Sequence, residues 1–144
     1  MASTKNKTMS SQNFHVFVAT CILLSGCAAP VPIICPNGQT MMTSELLYFG
    51  TATPGGTVTA ADWQGFLNDT ITPRFPEGLS VWPASGQWKS AEGHIIREGS
   101  YVLSLVHPGS LTASAALDEI VSEYKTTFQQ EAVLRVRSPV CVSF

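Results

Sequence analysis

The stretch Thr72-Pro73-Arg74-Phe75-Pro76-Glu77-Gly78-Leu79 is the most unusual in the chain and the one best suited to hold a ligand. Two prolines restrict the backbone around Arg74, and Gly78 can supply a positive φ. A guanidinium on so rigid a loop can clamp a carboxylate or a phosphate. It can equally pair with a nearby acid, such as Glu77 or Glu131, and pin the loop to the body of the fold. The stretch is not a phosphate-cradling loop, which needs several glycines and a Lys before Ser or Thr.

Further candidates follow along the chain. Trp88 offers a flat stacking surface or a packing contact. Arg97 and Glu98 are adjacent, so on a strand they face opposite ways and do not act as a pair. Glu131 follows the last helical pattern and can serve as a site acid or as a pairing partner. Arg74, Trp88, Arg97 and Glu131 are therefore the candidate ligand-binding residues. His94 and His107 are 13 residues apart, more than ~40 Å along an extended strand, so they share no metal and are expected at the surface. No serine stands in a nucleophile-elbow pattern. No pair of carboxylates is spaced for acid–base work, so no catalytic residue can be named. No cofactor motif is present, and no metal site is expected.

The four cysteines divide by position. Residues 1–26 begin with Lys5 and Lys7, carry no acid, and contain an apolar run from Phe14 to Leu24. That run is too short for a permanent span, which needs ~20 residues. It has the layout of a secretory signal. Its exit, Leu24-Ser25-Gly26-Cys27, resembles the lipobox of bacterial lipoproteins, which implies cleavage before Cys27 and a lipid on its sulfur. Ala28 follows, where an Asp often retains such proteins at the inner membrane, so the outer membrane is favoured. Residues 27–38, with Pro30, Pro32 and Pro36, read as an extended tether, and 39–144 as one domain. Cys35 and Cys141 are left over. In an oxidising periplasm they are expected to pair, closing a loop of ~105 residues. Neither has a Cys or His neighbour at metal-ligand spacing.

The composition is that of a folded acidic domain. The chain is 44% hydrophobic and 12% charged, with a formal charge of -2. Residues 27–144 hold 6 basic and 10 acidic side chains, which argues against nucleic acid as a partner.

Periodicity supplies the elements that position these residues. Met41–Phe49 reads as a strand. Thr59 and Asp62 form a capping box for a helix whose stripe is Trp63, Phe66, Leu67 and Ile71, ended by Pro73. Gly78–Trp82 reads as a short strand broken at Pro83, with a turn at Ser85-Gly86 before Gln87–Lys89 resumes. Ile95–Val106 is a long strand. Leu117, Ile120, Val121, Tyr124 and Phe128 mark an amphipathic helix. In Ala132–Val142, Leu134 and Val136 alternate with Arg135 and Arg137. The order β-α-β-β-α-β is ferredoxin-like, an α+β fold with both helices on one face of an antiparallel four-stranded sheet. Right-handed crossovers set the last strand beside the first, which brings Cys141 towards Cys35. The other face is left open, and either the Leu134/Val136 set or the Arg135/Arg137 set lies on it.

Several phrases in this order resemble a family of small bacterial exported proteins known only as domain of unknown function 3574. They are Tyr48-Phe49-Gly50, Trp63 with Phe66, Thr72 to Pro76 leading to Gly78-Leu79, Gly86-Gln87-Trp88, Arg97-Glu98, and Tyr124-Lys125 leading to Phe128, Gln130, Glu131 and Val133. Ser80 stands where Thr is expected. The resemblance implies fold and location but no activity. Three readings of function follow. One is a non-enzymatic envelope lipoprotein acting as a small binding or interaction module held at the membrane. Another, resting on the tether alone, is assembly with other envelope proteins. The third is a small-molecule enzyme or ligand carrier, built as a dimeric α+β barrel through the open sheet face.

Overall fold

A computed structural model describes residues 33–144. The signal segment, Cys27 and the start of the tether lie outside the described residues. The elements are β1 (Thr40–Gly50), a short hairpin of β2 (Ala52–Thr53) and β3 (Gly56–Thr57), α1 (Ala60–Phe66) continued by a π-helical turn (Leu67–Ile71), β4 (Ser80–Lys89), β5 (Ile95–His107), α2 (Leu111–Phe128) and β6 (Leu134–Val142). The four long strands form one antiparallel sheet in the order β4-β5-β1-β6. This is the ferredoxin-like arrangement, with the first and third long strands central.

Local chemistry accounts for most boundaries. The Thr59 side chain accepts from the Asp62 amide while Asp62 reaches back to the Thr59 amide, so α1 starts where the capping box sets it. Ser110 caps α2 by accepting from the Ala113 amide. Pro83 does not break its strand. It pairs opposite Tyr101 within one continuous β4, and Ser85-Gly86 lie in the same ladder. β4 is an edge strand, where the missing N–H can face solvent at no cost to the ladder.

The core lies between the sheet and the helices. Leu47 and Phe49 of β1 and Leu103 and Leu105 of β5 meet Trp63 and Phe66 of α1 and Leu117, Ile120 and Tyr124 of α2. Aromatic contacts dominate: Phe49 packs edge-on against Tyr124 at 4.7 Å, and Trp63 stacks on Tyr101 at 4.5 Å.

One charge is sealed in this layer. Glu45, on β1, is completely buried. Arg135 of β6 meets it with two hydrogen bonds, Nε to Oε2 at 2.8 Å and Nη2 to Oε1 at 2.7 Å. Arg137 approaches to 3.6 Å, and Asp118 of α2 holds the far side of Arg135 at 2.7 Å. His107, expected at the surface, is buried here instead. Its Nδ1 accepts from the Gly109 amide at 3.0 Å, which leaves the ring proton on Nε2, facing Glu45 at 3.4 Å. His94 is exposed. Burial alone would push the Glu45 carboxyl up. The hydrogen bonds from Arg135 and His107 and the charges of Arg135 and Arg137 outweigh it and hold the carboxyl below its ordinary value of 4.5.

Cys35 and Cys141 are joined in a disulfide, with Cα atoms 5.5 Å apart and a sequence separation of 106. It clasps the chain entering β1 to the end of β6.

Two outcomes are expected. Replacing both Cys35 and Cys141 by Ser lowers unfolding free energy by roughly 4 kcal/mol, the loop entropy of so long a closure, as read by denaturant titration. Glu45→Ala costs roughly 3 kcal/mol, because it strands Arg135 and His107 without their acceptor. The Glu45 contribution is complete above pH ~4.5 and is lost as pH falls through its lowered folded value, so Glu45→Gln flattens the acid limb of a stability–pH curve.

Candidate functional site

The face of the sheet away from the helices is set by the parity of β1. Glu45, Leu47 and Phe49 point into the core, so Leu46 and Tyr48 point out. Register then carries one row across all four strands: Trp82, Val102, Tyr48 and Leu134. Val136 of β6 stands beside Leu46 in the next row. Tyr48, Trp82, Leu134 and Val136 are all substantially exposed, and Val102 is shielded between Tyr48 and Trp82. The open face therefore carries the apolar set of β6, and its arginines turn inward to Glu45.

At the end of β1 this face becomes a cavity of about 240 Å³, lined by Tyr48, Trp88, Glu98, Ser100, Gln130 and Leu134 among others. Its geometry is organised by Glu98. One carboxylate oxygen accepts from Trp88 Nε1 at 2.6 Å, and the other accepts from the Ala52 amide at 2.7 Å. The carboxylate lies over Gly50, where a Cβ would stand 2.7 Å from both oxygens. Only glycine leaves room there. Tyr124 OH donates to the Gly50 carbonyl at 2.8 Å, and Gln130 Nε2 donates to the Ala52 carbonyl at 2.6 Å. Burial, with the nearby Glu98 charge, pushes the Tyr124 phenol far up, so it stays a neutral donor. The indole of Trp88 is thus locked in orientation on the open face, beside an apolar wall and several hydrogen-bonding groups.

The four residues singled out from sequence do not converge. Trp88 is in this cavity. Arg97 points to the opposite side of the β4–β5 hairpin from Glu98, as adjacency on a strand requires, and Glu131 is exposed after α2. Neither has an ion-pair partner among the described residues. Arg74 is at the other end of the sheet. It is pinned, but not by Glu77 or Glu131. It donates to the Thr70 carbonyl at 2.7 Å and pairs with Glu119 and Glu123 of α2 at 3.6 and 3.5 Å. Helical spacing puts Glu119 and Glu123 on one face of α2, but only the packing of that face against the π-helical turn brings them to Arg74. Glu98 and Gln130, which organise the cavity, are not among the candidates that residue type and spacing single out. Their signal lay in the quoted phrases Tyr48-Phe49-Gly50, Gly86-Gln87-Trp88, Arg97-Glu98 and Gln130, all of which meet around this one cavity.

Gly50→Ala is expected to expel the Glu98 carboxylate and cost ~1–3 kcal/mol, through the loss of its two charge-assisted hydrogen bonds to Trp88 and the Ala52 amide. In a Glu98→Ala background the same change costs little. Denaturant titration of the four variants of this cycle measures the difference.

Comparison with known proteins bears on fold and family. A phage SAM lyase in complex with S-methyl-5'-thioadenosine superposes with a TM-score of 0.53 at 17% identity, over 79% of this chain and 96% of that one. The same enzyme in its apo state gives 0.51 at 16% identity, over 79% and 97%. CutA from Synechococcus elongatus gives 0.47 at 16% identity, over 73% and 83%. At these identities the likeness is one of fold. No curated protein matches the sequence. A family model does match, over residues 44–144, which takes in all of the sheet but the first four residues of β1, both helices and the cavity around Glu98. The chain belongs to the family described as "Protein of unknown function (DUF3574)".

Proposed function

We propose that this chain is a binding module of the bacterial envelope, exported by its first 26 residues and held at a membrane, in the outer membrane by preference, through a lipid on Cys27. Its ligand site is the open-face cavity, and the ligand is a small flat aromatic or heteroaromatic molecule. The carrying observation is the Trp88 indole, half-buried and fixed by Glu98 in the wall of the open-face cavity rather than in the core. A Trp held rigid by a carboxylate, next to Tyr48 and Leu134, presents stacking area without paying to order it. Ser100 and Gln130 supply polar edges. A volume of about 240 Å³ suits a ligand somewhat smaller than the ~300–1,000 Å³ usual for drug-sized sites. The arrangement needs no catalytic group to work.

The phage SAM lyase that shares this fold was solved with S-methyl-5'-thioadenosine. That nucleoside is therefore the first probe. Titrated against the protein, it is expected to change tryptophan emission saturably, with the change lost in Trp88→Leu and the affinity lowered at least tenfold in Tyr48→Ala. Emission that stays flat up to millimolar probe, and for free adenine and indole as well, removes the cavity from consideration as a site for such ligands.

A second reading keeps the same face but covers it with a second copy, as in a dimeric α+β barrel that carries or transforms a small molecule. The apolar row from Trp82 to Leu134 favours it, being continuous across all four strands. Light scattering decides between the two. A dimer that Leu134→Lys splits into monomers supports the barrel, and a monomer at high concentration supports the single-chain site.

A further inference from the structure

Large apolar side chains also stand in solvent away from the open face, and all but one of these are at one end of the sheet. Ile33, Ile34, Met41, Leu111 and Phe144 are exposed, Ile34 to 84% and Leu111 to 91%. The topology gathers them. The Cys35–Cys141 bond ties Ile33 and Ile34 to the end of β6, Met41 pairs opposite Cys141, and Phe144 follows three residues later. Leu111 opens α2 just after His107, which pairs opposite Thr43 near the start of β1. The remaining one, Ile95, sits at the opposite end, in the β4–β5 hairpin.

The segments that build this end carry no charged side chain of their own, and Arg137 of β6 reaches its edge beside Gly109. From Ile33 onwards the chain carries 6 basic and 10 acidic residues, yet the segments 33–44, 108–117 and 138–144 contain no Asp, Glu, Lys or Arg. Arg74 and Glu77 stand at its rim, around a cleft that Phe144 and Met42 also line. Scattered exposed apolar residues need no explanation, but a cluster on charge-free segments does.

The chain outside the described residues says what covers it. Cys27 precedes Ile33 by six residues, which span at most ~20 Å when fully extended. A lipid on Cys27 therefore leaves this end, and no other, within reach of the bilayer. We propose that it docks on the bilayer surface, with Ile33, Ile34, Leu111 and Phe144 entering the boundary between headgroups and acyl chains. The docking rests on the anchor reading given above. It involves no basic cluster, so it is indifferent to anionic lipid and to salt. It also fixes orientation: the cavity at Trp88 and Glu98 lies at the opposite end of the sheet, turned away from the membrane.

The test uses the mature protein carrying Phe144→Trp, isolated from bacterial membranes and mixed with phosphatidylethanolamine–phosphatidylglycerol vesicles whose acyl chains are brominated. Trp63 is buried in the core, Trp82 is on the open face and Trp88 lies in the cavity at the other end, so the parent protein supplies the background. The emission added by the new indole is expected to shift to the blue and to fall at least twofold with brominated lipid. The quenching should be unchanged at 0.5 M salt, roughly three times the physiological level, and reduced when Ile34→Ser and Leu111→Ser are added. Mass spectrometry of Cys27 and flotation of the vesicles run on the same sample. An acylated chain that floats with its new indole unquenched overturns the docking and leaves the anchor standing. A chain with no acyl group that still floats and is quenched removes the anchor and upholds the docking. A chain with no acyl group that does not float removes both.

Discussion

A single buried carboxylate decides how this molecule presents itself. Glu45 sits on a central strand with no exposure at all, and a carboxylate so placed is tolerated only with charged partners and satisfied hydrogen bonds. The partner is on β6, diagonally across the ladder: Arg137 stands opposite Glu45 and Arg135 opposite Leu47. Once Arg135 turns inward to meet Glu45, strand geometry turns Leu134 and Val136 outward. A buried apolar residue at position 45 would have allowed the opposite choice, with a leucine and a valine in the core and two arginines in water. The apolar open face is thus the counterpart of a polar contact on the covered one.

The two ends of the sheet are organised differently. Around Gly50, Glu98 of β5, Tyr124 of α2 and Gln130 after it bond the backbone of residues 50 and 52, and Trp88 of β4 bonds Glu98. Glycine at position 50 is what lets the carboxylate of Glu98 approach, and Glu98 in turn aims Trp88. Around Cys35, Met41 and Phe144 the chain is clasped covalently and has no charge to solvate. One end is built for a polar-edged small site, the other for an apolar environment. Under the proposed function the two must be distinct, since a surface that meets a bilayer cannot also admit a soluble ligand.

Much of this frame is legible in the sequence. Thr59 and Asp62 announce the start of α1, the spacing of Leu117, Ile120 and Tyr124 announces the buried stripe of α2, and the right-handed crossover rule places the last strand beside the first. The disulfide is readable because topology and cysteine count agree on it independently. Pro83 misleads, since a proline breaks a central strand but not an edge, and edge position is not a local property. The phrases shared with the family marked the cavity without revealing that they meet there.

What the sequence by itself determined is everything that depends on neighbours within about four residues: caps, helical stripes, strand alternation, and the charge-free segments. Tertiary structure alone decided which face of β6 turns inward, that His107 is buried beside Glu45, that Arg74 finds Glu119 and Glu123 rather than Glu77 or Glu131, and that Glu98 lies over Gly50. The reason is physical. Propensity and periodicity act through bonds and adjacent turns, whereas burial and ion pairing act through space, between residues 45 to 90 apart in these cases, and are known only when the chain has closed on itself.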